Sequence, residues 1–286
     1  MRSAVFAIVF FMAPCFQLKA LAMVNDSLTL DNLDAFSYMP YSLVALGGHQ
    51  EYCLSLSLTN TTNDSIGIYI EPGRVLLSDK SDFQDLVVMR SLYFKLPAGK
   101  QGKNFIYCFC CSAHRKSPQN GAVFRNGYLD LSLLGRLGEF ANKGRYPARA
   151  LQNCVWAISN NHPIASICEK NKGTSTLKKW LADQLNKPYP WHCIEYDLAD
   201  TNLIHTRHLR VTGIFSFKVS HYATVIIQVR TKEGHIVDYI QKNAVYSAGD
   251  FDYPLDLDVK GWPKGVYEIL VFEDGNRINQ PTFFDL

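Results

Sequence analysis

Cys53-Leu54-Ser55-Leu56-Ser57-Leu58 alternates apolar and small polar residues without a break, the period of a strand that buries one face. Asn60-Thr61-Thr62-Asn63-Asp64 follows as a turn, and Ile66-Gly67-Ile68-Tyr69-Ile70 resumes the alternation before Glu71-Pro72-Gly73 closes it. Leu86-Val87-Val88, Leu92-Tyr93-Phe94 and Phe105-Ile106-Tyr107-Cys108-Phe109 read as further strands, with Pro97-Ala98-Gly99 turning between the last two. Short strands at this spacing predict an antiparallel sandwich.

The period changes after Pro118. Leu129, Leu131, Leu133, Leu134, Leu137 and Phe140 are too dense for alternation and suit a helix ending near Asn142-Lys143-Gly144. Ala148 to Ile158 is a second helix, stopped by Asn160-Asn161-His162-Pro163. Thr174 to Leu185 is a third, with Thr174 as its cap and Leu177, Trp180, Leu181 and Leu185 as its apolar stripe.

From about Arg207 the pattern is β again, through Ile214–Val219, Thr224–Val229, His235–Ile240, the alternating Phe251, Tyr253, Leu255, Leu257 and Val259, and Gly265–Phe272. The expected fold is mainly β with a helical insert: two antiparallel β-sandwich regions flanking a short helical segment. The expected domains are residues 23–205 and an immunoglobulin-like sandwich at 206–286. A fragment from about Leu203 is then expected to fold alone.

Residues 1–22 read as a cleavable export signal. Arg2 precedes an apolar run from Ala4 to Ala13, and Ala20-Leu21-Ala22 offers small residues to a signal peptidase. That run is too short to span a bilayer, which takes roughly 20 residues, and no later stretch suits a transmembrane span. The expected location is secreted or cell-surface. Removing a segment that carries Arg2 and Lys19 leaves a net charge near +1, which excludes nucleic acid as an expected partner. Aromatic content of 13% with 19% charged residues argues for packed cores and against disorder. Seven cysteines follow the signal: Cys53, Cys108, Cys110, Cys111, Cys154, Cys168 and Cys193. Export makes disulfides the default, and an odd number leaves at least one thiol for another purpose.

Two resemblances add to this reading. Phe109-Cys110-Cys111-Ser112-Ala113, then Lys116-Ser117-Pro118, a leucine-rich helix and Leu151-Gln152-Asn153-Cys154-Val155-Trp156-Ala157-Ile158 follow one another in that order. The stretch from about Cys108 to Ile158 resembles the thioester domains of bacterial surface adhesins. In those, a cysteine in an aromatic-Cys context and a glutamine in an apolar-Gln-x-x-apolar motif form an internal thioester. The resemblance implies Gln152 as acyl donor, Cys110 or Cys111 as the thiol, and Val155 and Trp156 as a dry wall. A thiol that displaces ammonia from the Gln carboxamide leaves an acyl bond that survives where water is excluded and then acylates an amine. Gln152→Ala is expected to abolish this bond and leave the fold intact, since alanine is a good helix former. The C-terminal stretch, on its Gly234 turn and Lys264-Gly265-Val266-Tyr267, is similar to the sandwich modules that close many secreted bacterial proteins. Those include type IX sorting domains, although Phe283-Phe284-Asp285-Leu286 replaces their basic ending.

The expected function is interaction or adhesion toward a surface protein or glycan, covalent if the thioester forms. Other readings stay open. Cys108, Cys110 and Cys111 can instead make disulfides with Cys53, Cys154, Cys168 or Cys193, with Gln152 and Trp156 simply packing. Cys154 with a base among His162, His192, His205 and His208 would make an exported cysteine hydrolase. A purely structural cell-envelope module is the third. No cofactor or metal is expected. Trp191-His192-Cys193 lacks a second ligand pair, and Asp250, Asp252, Asp256 and Asp258 suit the charged face of an edge strand. Asn25, Asn60 and Asn63 match the glycosylation acceptor pattern.

Overall fold

A computed structural model describes residues 27–36, 39–168, 171–196 and 207–286. The expected export signal at 1–22, Asn25 and His205 lie outside the described residues. The fold is mainly β with a helical insert. The first β region comprises β1 (Ser27–Leu28), α1 (Leu30–Ala35), β2 (Tyr41–Ala45), β3 (Leu54–Thr59), β4 (Ile66–Ile70), β5 (Arg74–Ser78), β6 (Leu86–Val88), β7 (Leu92–Leu96), β8 (Gln101–Ile106), β9 (Cys108–Cys110) and β10 (Val123–Leu129). The insert carries α2 (Leu133–Asn142), α3 (Ala148–Ser159) and α4 (Lys172–Gln184). The second β region holds β11 (His192–Tyr196), β12 (His208–Val219), β13 (Ala223–Thr231), β14 (Ile236–Tyr246), β15 (Gly249–Asp258), β16 (Val266–Glu273), β17 (Asn276–Arg277) and β18 (Thr282–Asp285).

In the first region a seven-stranded sheet runs β8-β3-β2-β10-β5-β6-β9. Only Tyr107 separates β8 from β9, so one run of chain forms both ends of the sheet, and the sheet curls back on itself. Ile106 pairs with Leu54 on one side, and Phe109 pairs with Val87 on the other. The inward residues Leu43, Leu54, Leu56, Leu76, Leu86, Val88, Cys108 and Cys110 meet Ile68 and Ile70 of the small β1-β4-β7 sheet and Leu30 and Leu33 of α1. The outward residues Val75, Val87, Met89, Tyr107 and Phe109 are covered by Leu137, Leu151, Val155, Leu177 and Leu181 of the insert. Burial on both faces explains why residues 86–89 and 106–110 are apolar at every position instead of alternating. Each of these fully buried leucines stabilises the fold by about 1.5–3 kcal/mol relative to exposure.

Two features of this region have no local sequence signature. Arg74 is 1% exposed, and its guanidinium binds both Asp31 oxygens at 2.7 and 2.8 Å and Glu71 at 2.9 Å, fastening α1 to β5. Gly138 lets α2 lie directly on the 72–73 turn, since a Cβ there would meet Gly73 N at 2.5 Å.

The helices depart from expectation at their starts. Leu129 ends β10 and Leu131 is 85% exposed, so α2 begins only at Leu133. The α4 cap is Asn171, not Thr174, because Asn171 Oδ1 accepts from Thr174 N at 2.9 Å. No helix of the described residues is long and apolar enough to cross a membrane.

The second region has a β11-β12-β15 sheet and a sheet running β14-β13-β16, with β17 and β18 on the far edge of β16. Val211, Phe215, Val225, Ile227, Ile269 and Phe284 fill the core between them. Strand β11 pairs with β12 from His192 to Tyr196, so this sheet draws on chain that precedes residue 206. Asp252 accepts from Ser216 Oγ at 2.6 Å and Asp256 pairs with Arg210 at 3.0 Å, both on the edge strand β15. Asn60 is fully buried and donates to Leu96 O at 2.9 Å, which removes it as a glycosylation acceptor.

Candidate functional site

Backbone direction along β9 decides what can reach it. In an antiparallel strand, successive residues turn their N–H and C=O groups to opposite edges. Tyr107 and Cys111 bond toward β6, through Met89 N to Tyr107 O at 3.0 Å and Cys111 N to Asp85 O at 2.8 Å. Cys108 and Cys110 face the other edge, where their N–H groups donate to Glu51 O at 2.8 Å and His49 O at 2.9 Å.

Gln152 completes that edge. Its Oε1 accepts from Cys110 N at 3.1 Å, and its Nε2 donates to Cys110 O at 2.8 Å. A carboxamide carries one acceptor and adjacent donors, so it stands in for the peptide group of an absent neighbouring strand. Gln152 is 1% exposed and Cys110 is fully buried, so water is excluded from the pair. Helix α3 aims Gln152 there because Leu151, Cys154 and Val155 are all fully buried against the outer face of the sheet.

Of the two candidate thiols, the one whose residue touches Gln152 is Cys110. Its side chain belongs to the inner core with Cys53 and Cys108, and burial pushes its thiol well up. Cys111 faces the helical layer and lines a separate pocket of about 310 Å³ with Asp85, Tyr128 and Asp130. Burial, then the carboxylates of Asp85 and Asp130, raise the Cys111 thiol as well. Both therefore carry their protons at neutral pH.

Val155 packs in the helix–sheet core, as a dry wall requires. Trp156, 4% exposed, lies on the opposite side with Ala113, its ring 6.0 Å from both His49 and His162. Its Nε1 finds no hydrogen-bond partner among the described residues.

Two further amides hold the same loop and escape sequence reading. Gln84, fully buried, accepts from Ser112 N at 3.0 Å and donates to Arg115 O at 3.0 Å. Asn160 Oδ1 accepts from Ala113 N at 3.0 Å. Neither stands out locally, since Gln84 adjoins Asp85 and Asn160 sits in Ser159-Asn160-Asn161-His162.

Cys154 is fully buried in the helix–sheet core and its thiol is raised by that burial, an environment opposite to that of a nucleophilic cysteine. His192 is buried, and burial followed by Lys178 lowers it to about 4. Two thiol pairs stand close. Cys53 Sγ is 3.5 Å from Cys108 Sγ, and Cys168 shares a hydrogen bond with Cys193. No protein-family profile matches the chain, and no curated protein or solved structure is significantly similar to it.

Proposed function

We propose that this chain is a secreted or cell-surface interaction protein that attaches to its partner through an internal thioester between Cys110 Sγ and Gln152 Cδ. The observation that carries the reading is that the Gln152 carboxamide reaches the Cys110 main chain, bonding its N–H and its C=O in a water-free core; the thiol, packed with Cys53 and Cys108, would turn toward Cδ to react. The Cys110 N–H that donates to Oε1 would stabilise the oxyanion formed as sulfur attacks Cδ. The protonated thiol supplies the proton that the departing nitrogen needs. The Sγ–H and Cδ–N bonds break, the Sγ–Cδ bond forms and ammonia leaves. An amine on a surface protein or glycan then takes the acyl group and restores the Cys110 thiol.

Intact mass of the exported protein, prepared without amines, tests this. The expected value lies about 17 Da below the unmodified mass, and methylamine adds at Gln152. Cys110→Ala should abolish both effects, and Cys111→Ala should leave them in place. A full mass with no methylamine uptake refutes the thioester.

A further inference from the structure

We propose that the cleft between the helical insert and the C-terminal sandwich binds a small anion bearing a carboxylate or phosphate group, held by His114, His162, His208 and Lys264. The cleft has a volume of about 200 Å³, room for roughly six or seven waters at about 30 Å³ each. Four separate places in the chain supply its nitrogen-bearing side chains. His114 lies on the loop that follows Cys111, His162 just beyond α3, His208 at the start of β12, and Lys264 before β16. Among the described residues that line it, none has an Asp or Glu side chain.

The rings are held in place. His162 stacks on Tyr196 at 5.0 Å and 14° between planes, and Tyr196 rests against His208 at 5.1 Å. His162 Nε2 is buried without a partner among the described residues, so the ring carries an unmet hydrogen-bonding group in the wall of the cleft. His208 is itself only 8% exposed. Burial first, then the neighbouring His114, His208 and Lys264, lower His162 to about 4, and burial followed by Lys264 lowers His208, so at neutral pH these two rings offer neutral N–H groups beside the Lys264 ammonium, and a bound anion would favour their protonation. Tyr196 is pushed upward by burial and stays a neutral donor. Leu286 closes the rim, its main chain paired with Gly265 at 2.9 and 3.2 Å. The site does not depend on the thioester.

Histidine-resolved NMR titration of the full mature chain, with inorganic phosphate in one arm and acetate in the other, tests it. The tighter arm identifies which oxyanion chemistry the cleft prefers. Binding should raise the His162 pKa by at least about one pH unit, equivalent to a tenfold preference of the anion for the protonated ring. Lys264→Met, at an exposed position that folding does not require, and His208→Gln should each weaken binding about tenfold. Unchanged histidine titration at about 50 mM of both anions, far above the millimolar affinity of a weak ion site, overturns the proposal. So does an affinity that neither substitution alters.

Discussion

Gln152→Leu separates the hydrogen-bonding role of this side chain from its bulk. Leucine fills similar volume and has similar helix propensity, so the perturbation is confined to the two bonds with Cys110. Cys110 N keeps His49 O as an acceptor, but Cys110 O loses the donor that reaches it at 2.8 Å. A buried carbonyl left without a partner costs about 1–3 kcal/mol, and a loss near 2 kcal/mol is expected. Urea unfolding followed by tryptophan fluorescence measures it, on ammonia-treated protein so that an acyl bond, if formed, is opened first and the Gln152 carboxamide restored. Gln152→Glu should be worse at neutral pH, because a carboxylate oxygen then faces the Cys110 carbonyl. That excess should shrink as acid protonates the new side chain. A leucine variant within about 0.5 kcal/mol of wild type would refute the clasp, as would a glutamate variant of wild-type stability at pH 7.

Arg74→Met strands Glu71, whose side chain is 17% exposed, while Asp31 at 60% can rehydrate, so a loss of about 3 kcal/mol is expected by urea unfolding. The hydrogen bond from Arg74 holds the Asp31 carboxyl below its ordinary 3.8, so this contribution persists above that pH and fades only as acid carries the pH through the lowered value. His162 and His192 are each lowered from 6.5 to about 4, so their neutral forms favour the fold fully above pH 6.5. Stability should fall by on the order of 1–2 kcal/mol per histidine between pH 6.5 and 5, checked by melting temperature against pH and sinking the reasoning if flat. Peptide mapping of exported protein should find Cys53–Cys108 and Cys168–Cys193 disulfides. A map that pairs Cys110 with any cysteine contradicts both this and the thioester. A fragment starting at Leu203 lacks β11, whose Ile194 is 1% exposed, and should be measurably less stable by circular dichroism than one starting at Pro188.

The strands at 54–59, 66–70 and 266–273 and the helix from Ala148 were legible without any structure, because period two and period 3.6 are written into neighbouring residues. The resemblance to thioester domains selected Gln152 and the Cys110-Cys111 pair, through the aromatic-Cys and apolar-Gln-x-x-apolar motifs, before anything placed them together. Choosing between the two cysteines took the tertiary fold, because the choice depends on which edge of β9 each backbone faces and where the 49–51 segment leaves off. Sequence alone made Gln152→Ala look harmless, since helix propensity is local, whereas its carboxamide serves a strand far away in the chain. Arg74 with Asp31, the Asn171 cap and the cleft lined by histidines and Lys264 were invisible for the same reason. Local patterning determines which segments become strands and helices. The partners of their unsatisfied polar groups are decided only once distant segments are brought together out of water.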